Sequence, residues 1–267
     1  MKRITDIQEL RNIQMGILDD VHRFCEEQGL RYSLSSGTLI GAVRHQGYIP
    51  WDDDIDIYML RTDYERFLKT YHDPEGRYKI LAPSQKGRAG GEAPYYYTFA
   101  KVVDQRTKMV EKETEGYEIG VYIDVFPVDY VPEDKRAQDF IFRAKKLLYK
   151  IRRCKISNSN PLHSQLAYWC YRSLPVTVGM LDKLIRKLIV HHEPTGRLCH
   201  MTEAGPATPK GCFPAADMKK MMDMRFEDRV YKVMIGYDDY LTRTYGDYMK
   251  LPPENQRTTH QFEAYWL

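Results

Sequence analysis

Asp54 and Asp56 stand two apart in the run Trp51-Asp52-Asp53-Asp54-Ile55-Asp56, and Ser35-Ser36-Gly37-Thr38 precedes them. Residues two apart in a strand share a face. The apolar alternation of Ile55, Ile57 and Met59 therefore groups Asp54, Asp56 and Tyr58 on the opposite side. Two carboxylates about 6–7 Å apart at Cα repel one another unless a cation neutralises them. Mg²⁺ suits that task, because it takes one or two carboxylates and fills its shell with substrate phosphates. Upstream, residues 30–34 read as a strand, Ser35 to Thr38 as a turn of small residues, and residues 39–43 as a short helix. The unpaired N–H groups of a helix N-terminus bind anions, which makes Gly37 and Thr38 candidates to hold a phosphate. An acidic run alone is more often a solvated turn. A phosphate cradle and an acidic pair together point to metal-assisted phosphoryl chemistry.

Asp124 is the candidate third carboxylate. Val121, Ile123 and Val125 alternate with Tyr122, Asp124 and Phe126, so a strand here beside the 55–60 strand turns Asp124 toward the pair. Asp52 shares the parity of Asp54 and Asp56, Asp53 faces away or caps a turn, and Asp129, beyond Pro127, reads as a loop residue. Positive partners for a phosphate are sought in Arg44 and His45 after the short helix, Lys101 and Arg106 about the next strands, and Arg257 and His260 after Pro252-Pro253. Surface Arg and Lys are mostly solvated, but Lys101 lies within a hydrophobic strand. His260 is equally well read as a structural donor or as a substrate contact.

The block GTLIGAVRHQGYIPWDDDIDI, residues 37–57, resembles the signature of the LicD family of phosphocholine transferases, which also includes fukutin-like proteins. Further similar segments follow in the same order: AKVVD at 100–104, GVYIDVFP at 120–127, and YGDYM at 245–249 with LPPE at 251–254 and His260. The resemblance implies a nucleotidyltransferase-like fold in which Asp54, Asp56 and Asp124 are catalytic and hold Mg²⁺, with Mn²⁺ as an alternative. It implies transfer of phosphocholine from CDP-choline to a hydroxyl of a glycan (teichoic acid, capsule or lipopolysaccharide precursor), with release of CMP. Gly37, Thr38, Arg44, Lys101, Arg257 and His260 become the expected substrate contacts. Transfer of a nucleotidyl group to a small molecule and use of CDP-ribitol remain rival readings. So does a catalytically silent glycan-binding scaffold. A quaternary ammonium is held by aromatic faces, and Tyr48, Trp51, residues 95–97 and Tyr122 are the rings nearest this chemistry in sequence.

These residues need a frame. At 267 residues with 43% hydrophobic and 29% charged positions, the chain is an ordinary globular one of one or two domains. A net charge of +3 is too small to make nucleic acid the expected partner. Five scattered cysteines, an odd number, suggest reduced thiols in a cytoplasmic protein. No secretory h-region or apolar run of about 20 residues is present. The expected fold is α/β (α+β), a mixed nucleotidyltransferase-like sheet with flanking helices. Residues 1–132 form the catalytic core, 133–195 an inserted helical subdomain, and 196–267 a segment completing the core. A helix over 6–28 has a capping box at Thr5 and Gln8 and stops at Gly29. A strand over 55–60 leads to a helix opened by a second box at Thr62 and Glu65. Strands are expected over 95–103, 108–113 and 121–127. Phe140, Ile141, Ala144, Leu147, Leu148 and Ile151 mark one helix, Pro175 interrupts a second, and a last helix spans 237–249. Residues 166–189 mix aromatic and basic side chains, as a bundle core or as a peripheral contact with the inner face of a membrane carrying a lipid-linked glycan. A zinc site at His191, His192, Cys199, His200 and Cys212 lacks compact ligand spacing.

Overall fold

The computed structural model describes residues 1–83, 95–110, 119–157, 160–191, 194–257 and 263–267. After a short strand β1 (Lys2–Ile4), α1 (Ile7–Gln28) buries Leu10, Ile13, Ile17, Leu18, Val21, Phe24 and Cys25 along one face. Its N-cap is Asp6, whose carboxylate accepts from the Gln8 N–H, and not Thr5. Gly29 ends it at φ 61°, a conformation that glycine adopts without strain.

The central sheet begins with β2 (Tyr32–Leu34), which leads into α2 (Ser36–His45) and pairs antiparallel with β3 (Asp56–Leu60). The helix α3 (Arg61–Thr70) follows β3 directly. It starts one residue before Thr62 and has Leu60 as N-cap, so the expected capping box does not form. Next come β4 (Tyr78–Leu81), β5 (Ala100–Asp104), β6 (Thr107–Val110) and β7 (Tyr122–Tyr130). Strand order is β2-β3-β7-β5-β4, with β3 and β7 parallel and the other neighbours antiparallel.

The strand β7 runs straight through Pro127. The Asp124 N–H donates to Ile55 O on the β3 side, so alternation turns the nitrogen of residue 127 to the opposite edge. On that edge, pairing with β5 ends at Val125, and pairing with β8 (Arg197–His200) begins at Val128. The proline thus falls where no ladder bond is needed. Asp129, expected in a loop, is instead a fully buried strand residue, held by Nε and Nη2 of the Arg61 guanidinium, each at 2.7 Å.

Three helices follow: α4 (Lys135–Ile156), α5 (Gln165–Ser173) and α6 (Val178–Ile189). The helices α4 and α6 share a second apolar cluster with β8, built on Ile141, Phe142, Tyr149, Ile185, Ile189, Cys199 and Cys212. The buried face of α4 differs from the expected one: Phe140 and Leu147 are exposed, whereas Lys145 and Arg152 are buried. Arg152 reaches Asp182 Oδ1 on α6 and the carbonyls of Tyr95 and Tyr96, which fixes α4 to the segment leading into β5.

The strand β9 (Phe213–Pro214) pairs with β8, and β10 (Met221–Phe226) and β11 (Arg229–Met234) form a hairpin whose second strand bonds β2 side chains. The last helix, α7 (Tyr237–Tyr245), stops at Gly246 with φ 73°, before the prolines expected to end it. The final strand β12 (Glu263–Trp266) lies between β1 and β6. Among the described residues, no helix is long and apolar enough to cross a membrane.

Candidate active site

The parallel pairing of β3 and β7 sets Asp56 directly opposite Asp124, at a strand spacing of about 4.8 Å. Their shared edge lies against the start of α2. The Thr38 hydroxyl accepts from the Asp56 N–H at 2.9 Å, and the Ser35 N–H donates to the Asp56 carbonyl at 3.0 Å. Both sides of the Asp56 backbone are therefore pinned to the turn that opens the helix. Thr38 is buried, and its oxygen is engaged in this clasp. Ser36 adopts φ 49°, unusual for a residue with a side chain, where the strand turns abruptly into α2. Gly37 lies against Asp52: a Cβ there would sit 2.7 Å from the Asp52 Oδ2.

Asp56 is the electrostatic focus. Burial pushes its carboxyl well above the usual carboxylate range, and the negative charges of Asp54, Asp124 and Asp52 push it further, with Lys101 acting in the other direction. Lys101 is almost wholly buried, and its Nζ lies 2.7 Å from Asp124 Oδ1. The same ammonium lies 3.3 Å from the ring centre of Tyr122, 4.1 Å from that of Tyr97 and 5.3 Å from that of Phe99. Tyr97 and Tyr122, two of the rings considered for a choline cage, thus surround the protein's own cation. Lys101 offsets one of four carboxylates. The remaining all-oxygen, negatively charged donor set fits a hard divalent cation that completes its shell with substrate phosphates. Among the described residues, no three His, Cys, Asp or Glu side chains already converge as a metal-ligating group.

The other expected contacts divide. Arg44 donates to the carbonyls of Tyr248 and Lys250 and anchors the segment after α7. Arg257 lies 4.8 Å over the Trp51 ring, beside the acidic loop, and donates to Pro252 O. His260 lies outside the described residues. Arg106, with Arg77, grips the fully buried Asp104 and is absorbed in the fold. Among the described residues, no three of the zinc candidates converge. Cys199 and Cys212 share a hydrogen bond, while His200 bonds Thr202, contacts Tyr58 and is pushed by burial down to about 3. All five cysteines are free.

Other contributors were not singled out from sequence. Arg11 on α1 donates to the carbonyls of Ile49, Pro50 and Asp52, with a closest distance of 2.6 Å, and packs 4.6 Å over the Tyr48 ring. Gln14, one helical turn on, donates to Asp53 O at 2.7 Å and accepts from Tyr48. The spacing of Arg11 and Gln14 marks a shared face, but nothing local tells that this face receives the acidic loop. From α7, Tyr245 approaches Ser36. Partial desolvation of its hydroxyl and the charges of Asp56 and Asp54 raise its phenol, with Ser36 opposing them, while the residue as a whole stays 46% exposed.

A strand-turn-helix joined to a carboxylate pair on adjacent parallel strands is the arrangement that the sequence resemblance leads one to expect. Residues 29–163 match the family model described as LicD/FKTN/FKRP, nucleotidyltransferase domain. The lipopolysaccharide cholinephosphotransferase LicD of Haemophilus influenzae is 31% identical over 277 residues, covering 100% of both chains. Ribitol 5-phosphate transferase FKRP of Homo sapiens is 32% identical over 105 residues, 39% of this chain and 15% of that one. The chain belongs to the LicD/FKTN/FKRP family and is a transferase.

Proposed function

We propose that the protein transfers phosphocholine from CDP-choline to a hydroxyl of a cell-surface glycan and releases CMP. The observation that carries this reading is the Asp56–Asp124 register pair beneath the start of α2. Likeness over the full chain to a cholinephosphotransferase supports the choice of group. The acceptor oxygen attacks the phosphorus bearing choline, the bond from that phosphorus to the bridging oxygen breaks, and the electron pair leaves with CMP. Asp54 and Asp56 would hold Mg²⁺ or Mn²⁺, and Asp124 would complete this set or receive the acceptor's proton. A cation held there would supply positive charge for the diphosphate and the leaving oxygen. Lys101, fixed by its rings, holds the Asp124 carboxylate in place. The backbone N–H groups opening α2, at Gly37 and Thr38, face the donor's phosphates.

The FKRP likeness favours CDP-ribitol as the second donor to test. Purified protein is incubated with Mg²⁺ and a glycan acceptor, and with CDP-choline, CDP-ribitol or a nucleoside triphosphate in parallel. CMP release with CDP-choline, absent in Asp54→Asn, is expected. Pyrophosphate release from the triphosphate would assign nucleotidyl transfer instead, and turnover of CDP-ribitol alone would assign polyol-phosphate transfer.

A further inference from the structure

Opposite its buried face, α4 carries Arg136, Phe140, Arg143, Leu147 and Lys150, all exposed and spaced four, three, four and three residues apart. That spacing aligns them in one stripe along the helix, cation and apolar side chain in alternation, with no acidic residue among them. Phe140 is 66% exposed and Leu147 47%. The same line of α4 continues to Cys154, which is buried where Arg172 of α5 binds its carbonyl. There α5 presents Leu166 and Trp169 to solvent, 77% and 61% exposed, and buries only Tyr168. Polar straps hold α5 in place: Lys155 donates to the carbonyls of Arg172 and Leu174, and Arg172 to those of Cys154 and Ser157. Leu166 and Trp169 are thus left largely to solvent.

Charge selects the occupant. Residues 133–195 contain thirteen lysines and arginines against five aspartates and glutamates, a formal +8 in a chain whose total is +3. The rest of the molecule is accordingly net acidic. Cations alternating with large apolar side chains along one helix face suit an interface where anionic headgroups overlie acyl chains. We propose that the outer stripe of α4, extended by α5, docks the protein on an anionic lipid bilayer. This surface does not depend on which group the enzyme transfers.

The test is sedimentation of the full chain with vesicles of equimolar phosphatidylcholine and phosphatidylglycerol, against phosphatidylcholine alone. Binding to the anionic vesicles only, weakened by salt, is expected. Each cation removed near such a surface costs roughly fivefold, so replacing Arg136, Arg143 and Lys150 together by Gln lowers partitioning by about a hundredfold. Phe140→Ser with Leu147→Ser, which leaves the charge intact, also weakens binding, and Trp169 emission shifts to the blue on anionic vesicles. All five positions of the stripe are solvent-exposed, and unchanged circular dichroism verifies that each variant folds. The proposal is overturned if anionic vesicles leave the protein in solution, or if the triple variant binds as the parent does. It is overturned equally if the serine pair abolishes self-association in solution while vesicle binding persists, which would make the stripe a contact between copies of the chain.

Discussion

Lys101→Met isolates the electrostatics of the site. The variant removes the ammonium lying 2.7 Å from Asp124 and between the rings of Tyr97 and Tyr122, in a place that water hardly reaches. Removing one partner of a buried pair costs about 3–5 kcal/mol. Here the abandoned Asp124 also faces Asp56 across the parallel register. Protonation sets a ceiling: neutralising a carboxyl group of ordinary pKa, about 3.9, costs about 4 kcal/mol at pH 7. The expected loss at neutral pH is therefore about 3–4 kcal/mol. It shrinks by about 1.4 kcal/mol for each pH unit below that, because a carboxylate that has lost the ammonium is neutralised more cheaply in acid. Chemical denaturation in the presence of a chelator measures this, with Asp124→Asn and the double variant completing a cycle. The double variant should recover most of the stability lost in the single one. A loss under about 1 kcal/mol with no pH dependence would refute the reasoning and reduce Lys101 to a packing residue.

Asp56→Asn should abolish CMP release. It should also stabilise the metal-free fold by about 1–3 kcal/mol, a typical cost of a poorly solvated polar group. Because the folded carboxyl titrates well above 3.8, the parent loses stability as pH rises above that value and the variant does not, a difference that denaturation across pH reads out. Burial lowers Lys145 to about 8 from 10.5. Between these values the unfolded chain holds a proton that the folded one has released, so the parent gains about 3 kcal/mol on Lys145→Met as pH climbs through this window. Equal pH profiles in thermal melts would count against a buried neutral amine. Arg11→Met frees the carbonyls of Ile49, Pro50 and Asp52. It should cut turnover at least about tenfold by loosening carboxylate placement, with circular dichroism unchanged.

The parity of Asp56 in β3 and of Asp124 in β7 is legible in sequence because a strand's alternation is local, whereas Asp54, expected on the same strand face, lies in the loop before β3. The register of Asp56 and Asp124 is not legible. Nothing within residues 55–60 or 121–127 says that Asp56 falls opposite Asp124 and not a residue to either side, since pairing across 68 positions is decided by the whole sheet. Pro127 misled for a related reason. It reads as a terminator until the change of neighbour from β5 to β8 is known, and Asp129 was lost with it. The α4 periodicity was real, but two of its apolar positions face outward while Lys145 and Arg152 enter the interior on carbonyl and carboxylate partners that are distant in sequence. Strands of two to four residues such as β1, β9 and β12 carry too little pattern to see. The β10–β11 hairpin escaped because its turn uses Glu227 at φ 57°, where glycine or asparagine would have announced it.

The seating of β12 between β1 and β6 has a kinetic consequence. Ile4 pairs with Ala264, and Ala264 pairs with Met109, so this small sheet joins residues separated by almost the entire sequence. Local elements such as α1 and the β10–β11 hairpin can form as they leave the ribosome. The three-stranded sheet must wait until residue 266 has emerged, and its closure brings a late loss of loop entropy. During that interval β1 and β6 are open edges able to recruit a foreign strand. A short peptide carrying the β12 sequence, supplied while the chain refolds, is accordingly a selective trap for the last step of folding.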